Sequence, residues 1–123
     1  MPDYTPVFDN TTAPWTMQAS ATVTGGRLVE STGNGLAGPA GAASTKVLGV
    51  AATDCAVGFK FVVWPLAGLT HEVTGAGVIV AGDNLAAGAL GVVAPIAAGT
   101  FAQLVGVASA GAADGAIVRF VGR

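Results

Sequence analysis

The residues best suited to catalysis are the only histidine, His71, and the only cysteine, Cys55, each with an acidic neighbour along the chain. A catalytic histidine needs a nucleophile and an orienting partner within hydrogen-bond reach. In an alternating strand His71 and Glu72 face opposite sides, so they cannot act as a pair. The negative charge of Asp54 disfavours the Cys55 thiolate. We therefore predict that His71 is a strand residue at a surface or an interface, and that Cys55 is a small buried apolar group.

A second chemical signal is the glycine-rich run Gly33-Asn34-Gly35-Leu36-Ala37-Gly38, which has the spacing of a dinucleotide-binding loop and follows a predicted strand. Pro39 and Gly41 come directly after it, so no helix begins there to offer its N-terminus to a pyrophosphate. A single cysteine also rules out an internal disulfide, and no Cys/His cluster has the spacing of a zinc site. We predict no nucleotide site and no metal site.

The remaining charged residues are scattered. Asp83 and Asp114 fall in glycine-rich turns, where aspartate accepts local backbone hydrogen bonds. No spacing indicates a catalytic carboxylate pair or a calcium loop. The sequence therefore predicts a non-enzymatic protein, with no catalytic residue and no cofactor.

The composition indicates a single domain whose surface is covered by partners. The chain has 123 residues, of which 52% are hydrophobic and only 10% are charged, against about 25% charged in ordinary soluble domains. The net charge of −2 provides no basic field for nucleic acid. With so little polar cover, we expect protein partners over much of the surface, although a poorly charged monomer is the alternative.

Membrane insertion and secretion are not expected. Residues 85–113 carry no charge, but repeated glycines and Pro95 interrupt any helix there. The N-terminus has neither the basic region nor the apolar region of a secretion signal.

Short apolar segments separated by glycine predict an all-β domain, a small barrel or sandwich of about seven to nine strands. Gly25-Gly26 predicts a hairpin between the first two strands, residues 33–43 a loop, and Thr100 to Gln103 one turn of helix. The predicted strands are residues 19–23, 27–31, 47–52, 59–64, 69–74, 77–80, 90–94, 103–108 and 116–121.

The N-terminal segment differs from the rest, which divides the chain into an arm, residues 1–17, and a β domain, residues 18–123. Three prolines favour an extended arm, and its spaced aromatic rings suit docking on another chain. The candidate contact residues are Tyr4, Phe8 and Trp15. The alternative is a frayed terminus whose Trp15 folds back on the domain.

The sequence also repeats itself loosely. Gly49-Val50-Ala51 precedes Gly58 and a strand, and Gly106-Val107-Ala108 precedes Gly115 and a strand at the same spacing. This pattern predicts two related β units around one core, although chance matches in an Ala/Gly/Val-rich chain are the alternative.

Residues 18–121 resemble the small capsid decoration, or cement, proteins of tailed bacteriophages, especially phages of actinobacterial hosts. The resemblance lies in residues 23–30, 44–51, 71–74, 80–83, 105–108 and 114–118.

This resemblance implies a β-rich virion protein on the outer surface of the capsid, bound to the major capsid protein and often trimeric. Such proteins bridge capsid subunits and stabilise the shell, and they have no catalytic or cofactor residues. Two other functions stay open: another virion part, such as a tail or fibre β domain, and a small binding or hydrolase barrel with a concave polar pocket.

Overall fold

The computed structural model describes residues 14–96 and 101–123, and this part of the chain is all-β, as predicted. It contains two short 3₁₀ turns, Ala89–Gly91 and Phe101–Gln103, and no α-helix. The second turn matches the predicted single turn of helix. The described part also contains no helix long and apolar enough to cross a lipid bilayer. The ten strands are β1 Trp15–Ala19, β2 Leu28–Gly33, β3 Leu36–Pro39, β4 Val47–Ala51, β5 Lys60–Pro65, β6 Thr70–Thr74, β7 Asn84–Ala87, β8 Val93–Pro95, β9 Gly106–Ala108 and β10 Ile117–Gly122.

Strands β1 to β5 form a closed barrel, here called the first unit, with the strand order β1-β3-β2-β4-β5. Strand β1 closes it by pairing antiparallel with β5 and parallel with β3. Alternation explains how β5 contributes: Phe61 and Val63 point into the barrel, whereas Lys60 and Trp64 face outward.

Strands β6 to β10 form the second unit, a five-stranded sheet in the order β6-β10-β9-β7-β8. Its two outer strands approach each other at a single parallel bridge, from Gly75 to Val93, so this sheet stays open. Strand β10 shows the same alternation as β5, with Val118 and Phe120 buried and Arg119 exposed.

The two units are built in the same way, which confirms the predicted repeat. Val23 and Cys55 exchange backbone hydrogen bonds in the first unit, and Ile79 and Ala112 do so in the second. The pairing of β1 with β5 recurs as that of β6 with β10, and β4 with β5 as β9 with β10. The predicted match between residues 49–51 and 106–108 therefore reflects two copies of one strand arrangement.

The interior contains two apolar clusters rather than the single core that was expected. The first fills the barrel and is made of buried side chains of the first unit, among them Val29, Phe61 and Val63. The second combines the inner face of the second unit with side chains from the outside of the barrel, namely Leu28, Ala40, Val50 and Leu66. The barrel therefore covers the open sheet of the second unit and buries its core.

The predicted hairpin of residues 19–23 with 27–31 is wrong. Strand β1 ends at Ala19, and its partners are β5 and β3. The two glycines instead connect to the region after β4, because Gly26 donates its N–H to the Ala51 carbonyl and Gly25 to the Asp54 carboxylate. The N–H groups of Gly25 and Gly26 are therefore satisfied by partners across the barrel, whereas the sequence indicated a local turn.

The predicted loop over residues 33–43 is also wrong in part, because it contains β3. Gly33 pairs with Leu36 across the two-residue turn Asn34-Gly35, and Gly35 has a positive φ of 69°. Asn-Gly is the strongest short hairpin signal in a sequence. The run with dinucleotide-loop spacing is therefore a hairpin, and no helix follows it.

Two further strand predictions fail in the second unit. Residues 77–80 form a bend held by the bridge of Ile79 to Ala112, whereas β7 lies where a turn was expected around Asn84. Strand β8 begins only at Val93, after the 3₁₀ turn. Val78 and Val80 give residues 77–80 the apolar composition of a strand. However, these residues do not pair with a neighbouring strand beyond the single bridge of Ile79.

A shared glycine explains why each unit closes tightly between its fourth and fifth strands. A Cβ at Gly49 would clash with the carbonyl oxygen of Trp64, and one at Gly106 would clash with that of Val121. Neither position has a positive φ, so the glycine is required by close backbone approach alone.

We expect Gly49→Ala and Gly106→Ala each to lower the free energy of unfolding by about 1–3 kcal/mol, because an added methyl group forces two strands apart. Urea denaturation followed by circular dichroism measures this loss.

Gly41→Ala is the matched control. A Cβ there lies at 3.5 Å from the nearest atom, Oε1 of Glu30, and Gly41 has no positive φ. If all three variants lose the same stability, strand spacing is not the cause.

Candidate interaction surface

The catalytic candidates lie apart and serve the fold. Cys55 is buried in the core of the barrel, where its Sγ lies 3.4 Å from the carbonyl oxygen of Ala56. His71 belongs to β6 in the second unit, and its Nε2 donates to the Pro65 carbonyl oxygen at 2.8 Å. Its ring centroid lies 5.7 Å from that of Phe120. The structure thus places Cys55 and His71 in different units. Cys55 is a buried apolar group.

Glu72 faces away from His71, as the strand alternation predicted. It lies opposite Arg119 on β10, and Oε1 of Glu72 accepts from Nη2 of Arg119 at 2.8 Å. Both side chains are more than half exposed. A surface pair of this kind contributes at most about 1 kcal/mol and carries out no chemistry.

Three aspartates accept backbone hydrogen bonds at turns. The predicted local bond is confirmed for Asp83, whereas the partners of Asp114 and Asp54 lie far along the chain. The Asp114 carboxylate accepts from the Gly77 N–H at 2.7 Å, and that of Asp83 accepts from the Val80 N–H at 2.9 Å. Asp54 accepts from Gly25 at 2.7 Å. Each of these carboxylates therefore holds a backbone N–H of a turn.

Metal chemistry has no support in residues 14–96 and 101–123. No three His, Cys, Asp or Glu side chains lie close enough there to hold a metal ion. The described interior also contains no buried charged or polar residue, and its one thiol is that of Cys55.

What the molecule presents instead is apolar surface. The described large apolar side chains that face solvent are Val57, Phe59, Trp64, Val78, Val80, Leu90, Phe101, Ile117 and Val121. Val78 and Val80 flank the buried Ile79 on an extended segment, so they point to the same side. Val57 and Phe59 are also two residues apart, but they flank Gly58 in a turn. Single exposed apolar residues are ordinary, whereas two that lie near each other form a larger apolar patch.

Comparison of the two units shows that the fold does not require these side chains. Val78 and Val80 are 71% and 61% exposed, and they flank Ile79 as Thr22 and Thr24 flank Val23 in the first unit. The backbone is the same at both places, but one unit carries hydroxyl groups and the other carries valines. The strand arrangement therefore does not require valine at positions 78 and 80, and these side chains determine only the chemistry of the surface.

The predicted arm is described only at its end. Trp15 lies in β1 opposite Val63, and it packs partly buried against the core of the barrel. Residues 15–17 are thus part of the first unit. Tyr4 and Phe8 lie outside the described residues, and a role of all three in capsid contact stays a prediction.

The chain is similar to the base of a phage head fiber. The solved structure is the N base of the head fiber protein gp8.5 of bacteriophage phi29, with a TM-score of 0.68 and 26% sequence identity. The similarity covers 90% of this chain and 93% of that one. No protein-family model and no curated protein matches the chain. The similarity supports a structural component of a phage virion, and it favours the alternative of a fibre domain over the narrower prediction of a cement protein.

We expect Asp114→Ala to lower the free energy of unfolding by about 1 kcal/mol, because the Gly77 N–H loses its acceptor. Asp114→Asn keeps an oxygen in place and retains most of that stability. Thermal and urea unfolding of the two variants measure the difference. Equal losses would contradict the role of Asp114 as a turn cap.

Proposed function

We propose that this chain is a non-enzymatic virion protein that docks on the outer surface of a phage capsid. The observation that carries the proposal is its similarity, along nine-tenths of its length, to the base of a head fiber. In this role the β domain binds the major capsid protein, and the exposed apolar pairs provide the contact area.

The surface chemistry supports docking. Only 10% of the residues are charged, and the apolar pairs Val57 with Phe59 and Val78 with Val80 face solvent. Apolar area of this kind contributes to association when it is removed from water, at roughly 25 cal/mol per Å². A capsid shell presents the same binding site many times. If several copies of this protein are joined in one oligomer, a modest affinity of each copy is enough for dense occupancy of the shell.

We further propose that the protein assembles as a homotrimer and stabilises the shell as a cement protein does. A closed capsid lattice has threefold positions, and a trimer at such a position contacts several capsid subunits at once. Bridging between subunits then resists their separation. Both points rest on the resemblance to decoration proteins described above.

The second candidate is the base of a longer fibre, which the description of the phi29 neighbour favours. In that case the β domain anchors a projecting structure, and shell stability is not its purpose. The two roles differ in what happens to the capsid: a cement protein raises the temperature at which the shell breaks, whereas an anchor leaves it unchanged.

Binding to capsids tests the proposal directly. We expect the purified protein to co-sediment with mature, undecorated capsids of the phage that encodes it, in a saturable manner and at a fixed number of copies per shell. Removal of residues 1–13 should weaken this binding if the arm contributes. The deletion stops before Trp15 because that residue belongs to β1.

Failure of the full-length protein to bind mature shells would overturn the capsid-docking role. Assembly of the protein into fibres or rods without any capsid would then favour a tail component.

Replacing the two exposed valines by the residues of the first unit gives a sharper variant. We expect Val78→Thr/Val80→Thr to fold normally, with stability changed by less than about 0.5 kcal/mol, since these positions are exposed. Capsid affinity should fall about tenfold, equivalent to 1.4 kcal/mol, because apolar contact area is lost.

Ile117→Thr/Val121→Thr is the matched control, because it removes two exposed apolar side chains from the outer face of β10, and it should change capsid affinity less than twofold. Unchanged capsid affinity of the first variant would show that the valines of the second unit are not part of the docking surface.

A further inference from the structure

A notch opens at the junction of the two units, with a volume of about 120 Å³. From the first unit, Thr22, Thr24, Arg27 and Pro39 line it, and Leu90 lines it from the second. Small-molecule sites usually measure at least about 300 Å³. The notch therefore has room for one side chain rather than for a whole metabolite.

Arg27 is the only charged residue that lines the notch. It is partly buried, and its one side-chain hydrogen bond to the described residues runs from Nη1 to the Leu90 carbonyl oxygen at 3.3 Å. The only ion pair in the described part of the chain is that of Arg119 with Glu72, so no described carboxylate lies within ion-pair distance of Arg27. A guanidinium group has five N–H donors, and its preferred partner is a carboxylate, which it can bind with two parallel hydrogen bonds.

Leu90 adds an independent observation at the rim of the notch. It is 70% exposed, and its backbone has a φ of 58° and a ψ of 31°, the left-handed region that leucine avoids. The conformation is held by the next residue, since Gly91 donates its N–H to the Ala40 carbonyl oxygen at 2.9 Å. Glycine or asparagine would adopt this backbone with less strain. Strained backbone of this kind is found most often at active sites, ligand clamps and switch regions.

We propose that this notch accepts one acidic side chain of a partner protein. The carboxylate pairs with the guanidinium group of Arg27, and the aliphatic part of the same side chain packs against Leu90 and Pro39. This inference rests on the docking function proposed above, because the partner is then an acidic loop on the outer face of the capsid shell. The site adds charge-based specificity to the apolar contacts, which by themselves discriminate poorly between partners.

A titration without capsids tests the site by itself. The probe is N-acetyl-glutamate methylamide, with N-acetyl-glutamine methylamide as the uncharged control, added to ¹⁵N-labelled full-length protein. We expect saturable amide shifts confined to residues 22–29 and 90–91, with the glutamine probe at least fivefold weaker. Arg27→Ala should abolish the shifts. Equal effects of the two probes, or no localised shifts, would overturn the proposal.

Capsid binding tests the site in its assembled context. Arg27→Ala should lower capsid affinity about tenfold or more, because the acidic partner is left unpaired. Lys60→Ala removes the same charge from the exposed outer face of β5 and should change affinity less than twofold. Equal effects of the two substitutions would show that only the overall charge matters.

Leu90→Gly separates binding from folding. It relieves the left-handed backbone, so the midpoint of urea unfolding should rise or stay equal while capsid affinity falls about threefold or more. Unchanged affinity would remove Leu90 from the site. If the wild-type protein binds no capsid at all, the docking function fails, and the probe titration still decides whether the notch recognises a carboxylate.

Discussion

The rest of the structure depends on the packing of the barrel against the open sheet of the second unit. The apolar cluster around Phe120 includes four side chains from the outside of the first unit: Leu28, Ala40, Val50 and Leu66. Without these side chains one face of the second sheet would be exposed to water, and five short strands alone rarely bury enough apolar area to be stable. The core inside the barrel, by contrast, is made from the first unit alone.

Much of this architecture could be predicted from the sequence. The predicted bounds of β4, β5, β6 and β10 were close, the predicted strand 103–108 began three residues before β9, and the repeated Gly-Val-Ala segments revealed the duplication. The errors have a physical cause. Strand β1 pairs with β5, which lies far along the chain, and Gly26 bonds to Ala51 across the barrel, so local turn signals gave the wrong partners. Strand β3 was missed because glycine and proline dominate it, although Asn34-Gly35 marked the hairpin that begins it.

The interaction surface was only partly predictable. A low charge content indicated partner contact, but composition cannot say which apolar residues remain exposed after folding. Residues 77–80 were predicted as a strand, and that prediction did not show that the fold leaves Val78 71% exposed. The notch at Arg27 has no sequence signal, since Leu90 joins it from the other unit. Such sites arise where two units meet, and only the three-dimensional arrangement reveals them.

The order of the two units along the chain also has a consequence for synthesis. The barrel is complete once Pro65 has left the ribosome, because its strands and its core lie at or before that residue. The second half of the chain then emerges next to a finished surface that already carries its missing core residues. We expect the barrel to act as a template for the later strands, which shortens the time during which their unpaired edges are open to aggregation.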